Sequence, residues 1–199
     1  MATLVHLVRH ASHAVVDSTL VARAPGVSLS ETGRAEAAAL AARLAREEVE
    51  ALFSSPRQRC GETAAILAER IALQPAADPL LDELDAGGWT GRRFADLADD
   101  RDWTRWNASR AMAAAPDGED AFALQARGMA FLRRVARDWP DAGVVAVSHA
   151  EPIRMLVLAA LGLGPDAWPR IALDPASLTT LRVQDDRLTL MRLNERAAP

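Results

Sequence analysis

The sequence predicts an α/β fold: a three-layer α/β/α sandwich around a mostly parallel sheet, with a small helical lid region. Three observations carry that expectation. Leu4-Val5-His6-Leu7-Val8-Arg9-His10 and, far downstream, Val144-Val145-Ala146-Val147-Ser148-His149 are runs of strand-forming residues that each stop at a histidine. A small alanine and a helix-compatible pattern follow each run. Open parallel sheets bind ligands outside the carboxyl ends of their strands, so two such ends can face one substrate.

Taken in order, the first strand covers about 3–8. Ser30 reads as the N-cap of an alanine-rich helix that continues to about Arg46, and a short strand follows at Ala51 to Ser54. Ser55-Pro56-Arg57-Gln58 has the form of a capping box with proline at the first helical position, opening a helix to about Ile71. Pro75 to Leu84 is expected to be extended. A lid is expected over about 86–120, where glycines, Trp89, Trp103 and Trp106 accompany short helical pieces. A helix from about Glu119 to Trp139 leads to the strand ending in His149, and another runs from Pro152 to Leu161. Ser177 to Val183 and Arg187 to Leu193, separated by Gln184-Asp185-Asp186, form a closing hairpin. With no internal repeat or linker, the 199 residues are expected to form a single domain.

Composition narrows the function. All 23 cationic residues are arginine; the absence of lysine removes P-loop nucleotide chemistry and Schiff-base catalysis. A net charge of −4 with dispersed arginines argues against nucleic acid. The apolar stretch around Met155 to Leu163 is too short to span a bilayer. A lone cysteine, Cys60, fits a reducing compartment, and the N-terminal layout is not that of a signal peptide, so the expected location is the cytoplasm.

The residues themselves single out Arg9, His10, Arg59 and His149, joined by His13 and Arg23, while Glu83 taken alone reads as a solvated carboxylate. Arginine forks beside a strand-end histidine suit a phosphoryl group. Arg59 falls in the first turn of a helix, where free backbone N–H groups also favour an anion. His10-x-x-His13 has the spacing of a metal pair, but no third ligand lies nearby, so His13 reads as a substrate contact and no metal or other cofactor is expected. Arg23 reads as either a substrate contact or a loop charge, and Arg57 as a solvated helix arginine. His6 reads as packed against the sheet, the tryptophans as core and lid packing, and Cys60 as a small buried helix residue.

Leu7-Val8-Arg9-His10 resembles the RHG signature of the histidine phosphatase superfamily, also called phosphoglycerate-mutase-like. Ser54-Ser55-Pro56-Arg57-Gln58-Arg59 followed by Thr63, then Asp82-Glu83-Leu84-Asp85 before Gly87, Trp89 and Gly91, and finally Ser148-His149-Ala150 are similar to the family's later segments. Pro116-Asp117-Gly118-Glu119 with Arg127 and Leu193-Asn194-Glu195 extend the likeness over nearly the whole chain. The resemblance implies His10 as a phosphoryl-accepting nucleophile, Arg9, Arg59 and His149 as phosphoryl ligands, and Glu83 as the acid. The implied activity is metal-independent hydrolysis of a small phosphorylated metabolite. A phosphoglycerate mutase using the same phosphohistidine is the alternative, and a non-catalytic binding relative a third reading. The chain departs from the pattern at Ala11 and Ala150, where glycine is usual, and at Val16, where many members have asparagine.

Overall fold

A computed structural model describes residues 2–185 and 187–197. Among these residues the chain forms a six-stranded sheet of order β3-β2-β4-β1-β5-β6. Its strands are β1 (Thr3–Arg9), β2 (Ala51–Ser54), β3 (Pro75–Ala77), β4 (Gly143–Ser148), β5 (Ser177–Gln184) and β6 (Arg187–Arg196). The β1·β4, β2·β4 and β2·β3 pairings are parallel, while β5 and β6 close one edge antiparallel. The sheet is therefore mostly parallel, as expected. Asp186, in the turn of the expected hairpin, lies outside the described residues.

Strand side chains alternate between two faces, and the core divides accordingly. Val8, Leu52, Val145 and Val147 pack with α1 (Glu31–Leu44) and α2 (Gln58–Ile71). Val5, Leu7, Phe53, Val144 and Ala146 pack with α5 (Ala121–Asp138) and α6 (Ala150–Ala160) on the other side. His6 is buried with its Nδ1 3.1 Å from the Thr180 hydroxyl, in agreement with its reading as a packed residue.

Most helix starts obey local signals. Ser30 caps α1 by accepting from the Gly33 N–H at 3.0 Å, and Asp120 caps α5 through the Ala123 N–H at 2.7 Å. The capping box expected at Ser55 is not formed. Helix α2 starts at Gln58, and its N-cap Arg57 makes no side-chain cap. The Ser55 hydroxyl is held instead by His149 Nε2 at 2.8 Å and Asp82 at 3.3 Å. Helix α6 begins at Ala150, ahead of the expected Pro152, which sits in its first turn. Of the segment expected to be extended, only Pro75–Ala77 joins the sheet. Asp78 then caps a short 3₁₀ turn at Pro79–Leu81 by accepting from the Leu80 N–H.

The lid segment contains a 3₁₀ turn at Gly87–Trp89, α3 (Phe94–Leu97) and α4 (Arg101–Ala108). Trp89 and Trp106 are buried in the α5/α6-side core, which anchors the segment.

Gly33 is a point of close approach between α1 and the loop after His10. A Cβ there would lie 2.0 Å from the Ser12 carbonyl oxygen. Gly33→Ala should therefore lower stability by about 1–3 kcal/mol, the usual range for overpacking. Urea unfolding would measure it, and an unchanged midpoint would show that the loop yields freely.

Candidate active site

Three parallel strands end at one place. Arg9 of β1 is in register with Ser148 of β4, and Ser54 of β2 with Val147. The His10 N–H donates to the Ser148 carbonyl at 2.9 Å, and the Ser55 N–H to the Val147 carbonyl at 2.9 Å. These bonds carry the sheet's order one residue past the strands. A cavity of about 220 Å³ opens there, lined by Arg9, His10, His13, Arg59, Glu83 and, from α6, Glu151 and Arg154, among others.

His10 Nδ1 lies 2.9 Å from the Ala11 carbonyl oxygen. A carbonyl can only accept, so Nδ1 carries the proton and Nε2 of the neutral ring keeps its lone pair. Burial holds His10 well below the usual histidine pKa, and Arg59 and Arg9 add to the shift; the ring is neutral at pH 7. Burial and the same two arginines lower His13 to about 4. Its ring stacks on His10 with centroids 5.4 Å apart. Ala11 and Ala150 are not among the residues with positive φ, so alanine is accommodated at both positions without left-handed strain.

Arg59 is buried in the first turn of α2. Its Nη2 donates to the Ala22 carbonyl at 2.7 Å and to His149 Nδ1 at 2.9 Å. Ala22 itself sits at φ 46°, a left-handed conformation that is costly for a residue with a Cβ. The Nε and Nη1 of Arg59, the Nε of Arg9 and the Nδ1 of His13 are buried without a hydrogen-bond partner. Buried donors rarely stay unpaired. Several of them on side chains lining one cavity form a cradle for an anion.

His149 is buried behind Arg59 and does not line the cavity. Guanidinium can only donate, so His149 Nδ1 accepts, and its Nε2–H donates to the Ser55 hydroxyl. In this arrangement the expected N–H from His149 to a phosphoryl oxygen is not made; the ring holds Arg59 instead. Cys60 lies against it at 3.4 Å, and burial pushes the thiol pKa up, so Cys60 is an un-ionised packing residue.

Glu83 lines the cavity and accepts from the Leu84 N–H at 2.9 Å. Burial, helped by nearby Glu151, pushes its carboxyl up to about 7 against the pull of Arg59. Its backbone is clamped: the Glu83 carbonyl accepts from Arg23 Nε and from Arg127 Nη2, each at 2.8 Å. Arg23 thus serves the site from behind. It does not line the cavity, and its guanidinium also meets Asp85 at 3.1 Å and Glu119 at 3.3 Å. Arg57 is not a free surface arginine either. It grips Asp82 through Nη2 at 2.6 Å and Nε at 2.8 Å, and the Asp82 carboxylate accepts the Glu83 N–H.

Sequence reasoning missed Glu151 and Arg154. Glu151 is partly buried and ion-paired with Arg110 of the lid and with Arg154. Burial works against its ionisation, but the two arginines together outweigh that and keep its pKa low. The available signal was positional: Glu151 stands two residues after His149, in the first turn of the helix that opens on the site.

Fold and site together define an α/β protein whose strand-end histidine and buried arginines face a shared anion pocket. The chain belongs to the histidine phosphatase superfamily (branch 1), whose family model matches residues 5–196. It is 30% identical over 193 residues to Phosphoserine phosphatase 1 of Hydrogenobacter thermophilus, covering 94% of this chain and 90% of that one. It is 31% identical over 172 residues to Glucosyl-3-phosphoglycerate phosphatase of Mycobacterium tuberculosis, covering 80% and 77%. The native structure of a mycobacterial glucosyl-3-phosphoglycerate phosphatase superposes with a TM-score of 0.86 at 27% identity, over 98% of this chain and 99% of that one. Of three further mycobacterial relatives, 32% identical over 191 residues, the chain spans about half the length, 52%.

Proposed function

We propose that the protein hydrolyses small phosphate monoesters through a phosphohistidine on His10, with no metal in the reaction. It is a phosphoric monoester hydrolase of the histidine phosphatase type. One observation carries the assignment of roles: the bond from His10 Nδ1 to the Ala11 carbonyl, which leaves Nε2 unprotonated in a cavity walled by Arg9 and Arg59.

In the first step a bond forms between Nε2 and phosphorus as the ester P–O bond breaks, and Glu83 gives its proton to the departing alkoxide. In the second, water attacks phosphorus, its proton passes to Glu83, and the P–N bond breaks to release phosphate. Charge on the equatorial oxygens is met by the free N–H groups of Arg59 and Arg9, fixed before the reaction starts. His149 contributes by holding Arg59 Nη2, which leaves the Nε and Nη1 of that arginine for the phosphoryl group. His13 stands at the cavity wall as a substrate contact, whereas Arg23 acts by fixing the Glu83 backbone.

We place the protein in the cytoplasm on the strength of its single buried cysteine, acting on a small metabolite that suits a cavity of about 220 Å³. No helix among the described residues is long and apolar enough to cross a membrane.

The deciding experiment is a panel of phosphate esters assayed in chelator, with 3-phosphoglycerate tested with and without 2,3-bisphosphoglycerate. Release of inorganic phosphate, undiminished by chelator, is expected. Restoration of a lost activity by a divalent ion would remove the arginines from their proposed role. Rapid cofactor-stimulated interconversion of phosphoglycerates would make the protein a mutase.

A further inference from the structure

Beside the catalytic cavity lies a second one of about 260 Å³. The two share Leu20, Phe94, Glu151 and Arg154, so they are adjoining chambers. The second is walled by Trp89, Trp103, Trp106 and Trp168, three of them from the lid segment and one from the turn after α6. Trp89 and Trp103 meet edge to face, with ring centroids 5.3 Å apart. The Trp168 Nε1–H is already donated to the Asn107 carbonyl at 3.2 Å, so its polar tip is occupied.

The charged groups of this chamber are engaged with each other. Arg110 and Arg154 both pair with Glu151, and the Arg110 guanidinium lies 3.8 Å from the Trp168 ring centroid. Each arginine already directs an Nη to Glu151, and Arg154 Nε donates to the Ile171 carbonyl at 3.1 Å, so their charge is partly offset from within the chamber. Arg110 Nε is buried with no hydrogen-bond partner. An apolar cavity of about 150 Å³ is already large enough to take benzene.

We propose that this chamber receives the organic group of the substrate, selecting phosphate esters of flat, apolar, uncharged alcohols, above all aromatic ones with a single acceptor for Arg110 Nε. The proposal rests on the phosphomonoesterase reading, which puts the leaving oxygen in the adjoining cavity beside Glu83. Its consequence is a preference opposite to that for a compact, charged alcohol such as serine.

The test compares 2-phenylethyl phosphate with ethyl phosphate, whose leaving alcohols differ little in acidity, and adds O-phosphoserine. Burying a phenyl ring should raise kcat/KM by about 30-fold or more over ethyl phosphate. Asn107→Phe, which narrows the chamber, and Trp168→Ala, which removes a wall, should each shrink that ratio at least ~5-fold. Because a ratio is read, a general loss of folded enzyme cancels. Calorimetry with 2-phenylethylphosphonate and ethylphosphonate reads the same preference without turnover. Equal kcat/KM for the two esters, or a preference for O-phosphoserine, would overturn the chamber and leave the phosphatase standing. Selective binding of the aryl phosphonate with no ester hydrolysed would instead sink the phosphatase reading alone.

Discussion

Replacing His10 with asparagine or alanine should lower turnover by on the order of 10⁴-fold or more, the scale on which loss of a nucleophile is felt. Asparagine is the sharper probe. Its side-chain amide can still donate to the Ala11 carbonyl, the bond that His10 Nδ1 makes at 2.9 Å, but it has nothing to replace Nε2. The loop after β1 should therefore stay in place while the chemistry stops. Rapid quenching of the wild type with a labelled ester should trap phosphate on the protein, stable in alkali and labile in acid, and neither variant should carry label. Wild-type turnover in His10→Asn would end the proposal that this ring is phosphorylated.

Glu83→Gln should lose about 10²- to 10⁴-fold on alkyl phosphates, the usual contribution of a positioned proton donor. An alkoxide leaves badly without a proton, whereas p-nitrophenolate is stable without one. On p-nitrophenyl phosphate the variant should release a burst of nitrophenol and then stall as phosphoenzyme, because the second step also needs Glu83 to take a proton from water. Equal losses on both esters with no burst would make Glu83 structural.

The pH profile adds a second reading of the same group. Burial holds the Glu83 carboxyl at about 7. The proton-donating form is full below that value and falls tenfold per pH unit above it, so kcat/KM for alkyl phosphates should decline on the alkaline side of about 7. Glu151 raises the pKa of Glu83, and Glu151→Gln would also leave Arg110 and Arg154 without their anion. Both effects favour the carboxylate, so the alkaline limb should move to lower pH; no movement, or movement upward, would detach Glu151 from that role.

The structure also changes which residues could substitute as the acid. Asp85 and Glu119, the neighbouring carboxylates a sequence reader would try next, are held by Arg23, and Glu119 by Arg127 as well. Glu83 is the cavity carboxyl left without a direct arginine partner among the ion pairs of the described residues.

Much of this was legible in the order of residues. Runs of strand-forming residues that stop at His10 and His149 were enough to predict two parallel strands ending at one crevice, because a short, continuous apolar run is a local signal of a buried strand. Arg9 came with its strand, and Arg59 and Glu83 came through motif spacing. Local chemistry also placed Ser30 as a cap. It misplaced the start of α2, because the Ser55 hydroxyl is bound by a histidine 94 residues away. Arg57 read as a surface residue for the same reason: its partner Asp82 is 25 residues on, and a helix pattern says nothing of it.

By itself the sequence determined the sheet, the strand-end histidines and the kind of group the arginines can hold. Only tertiary structure decided that His10 is neutral with Nε2 free, that Glu83 keeps its proton near pH 7, that His149 faces Arg59, and that tryptophans from separate elements wall a second chamber. These depend on desolvation and on contacts between distant segments, and neither is a property of any short stretch of chain.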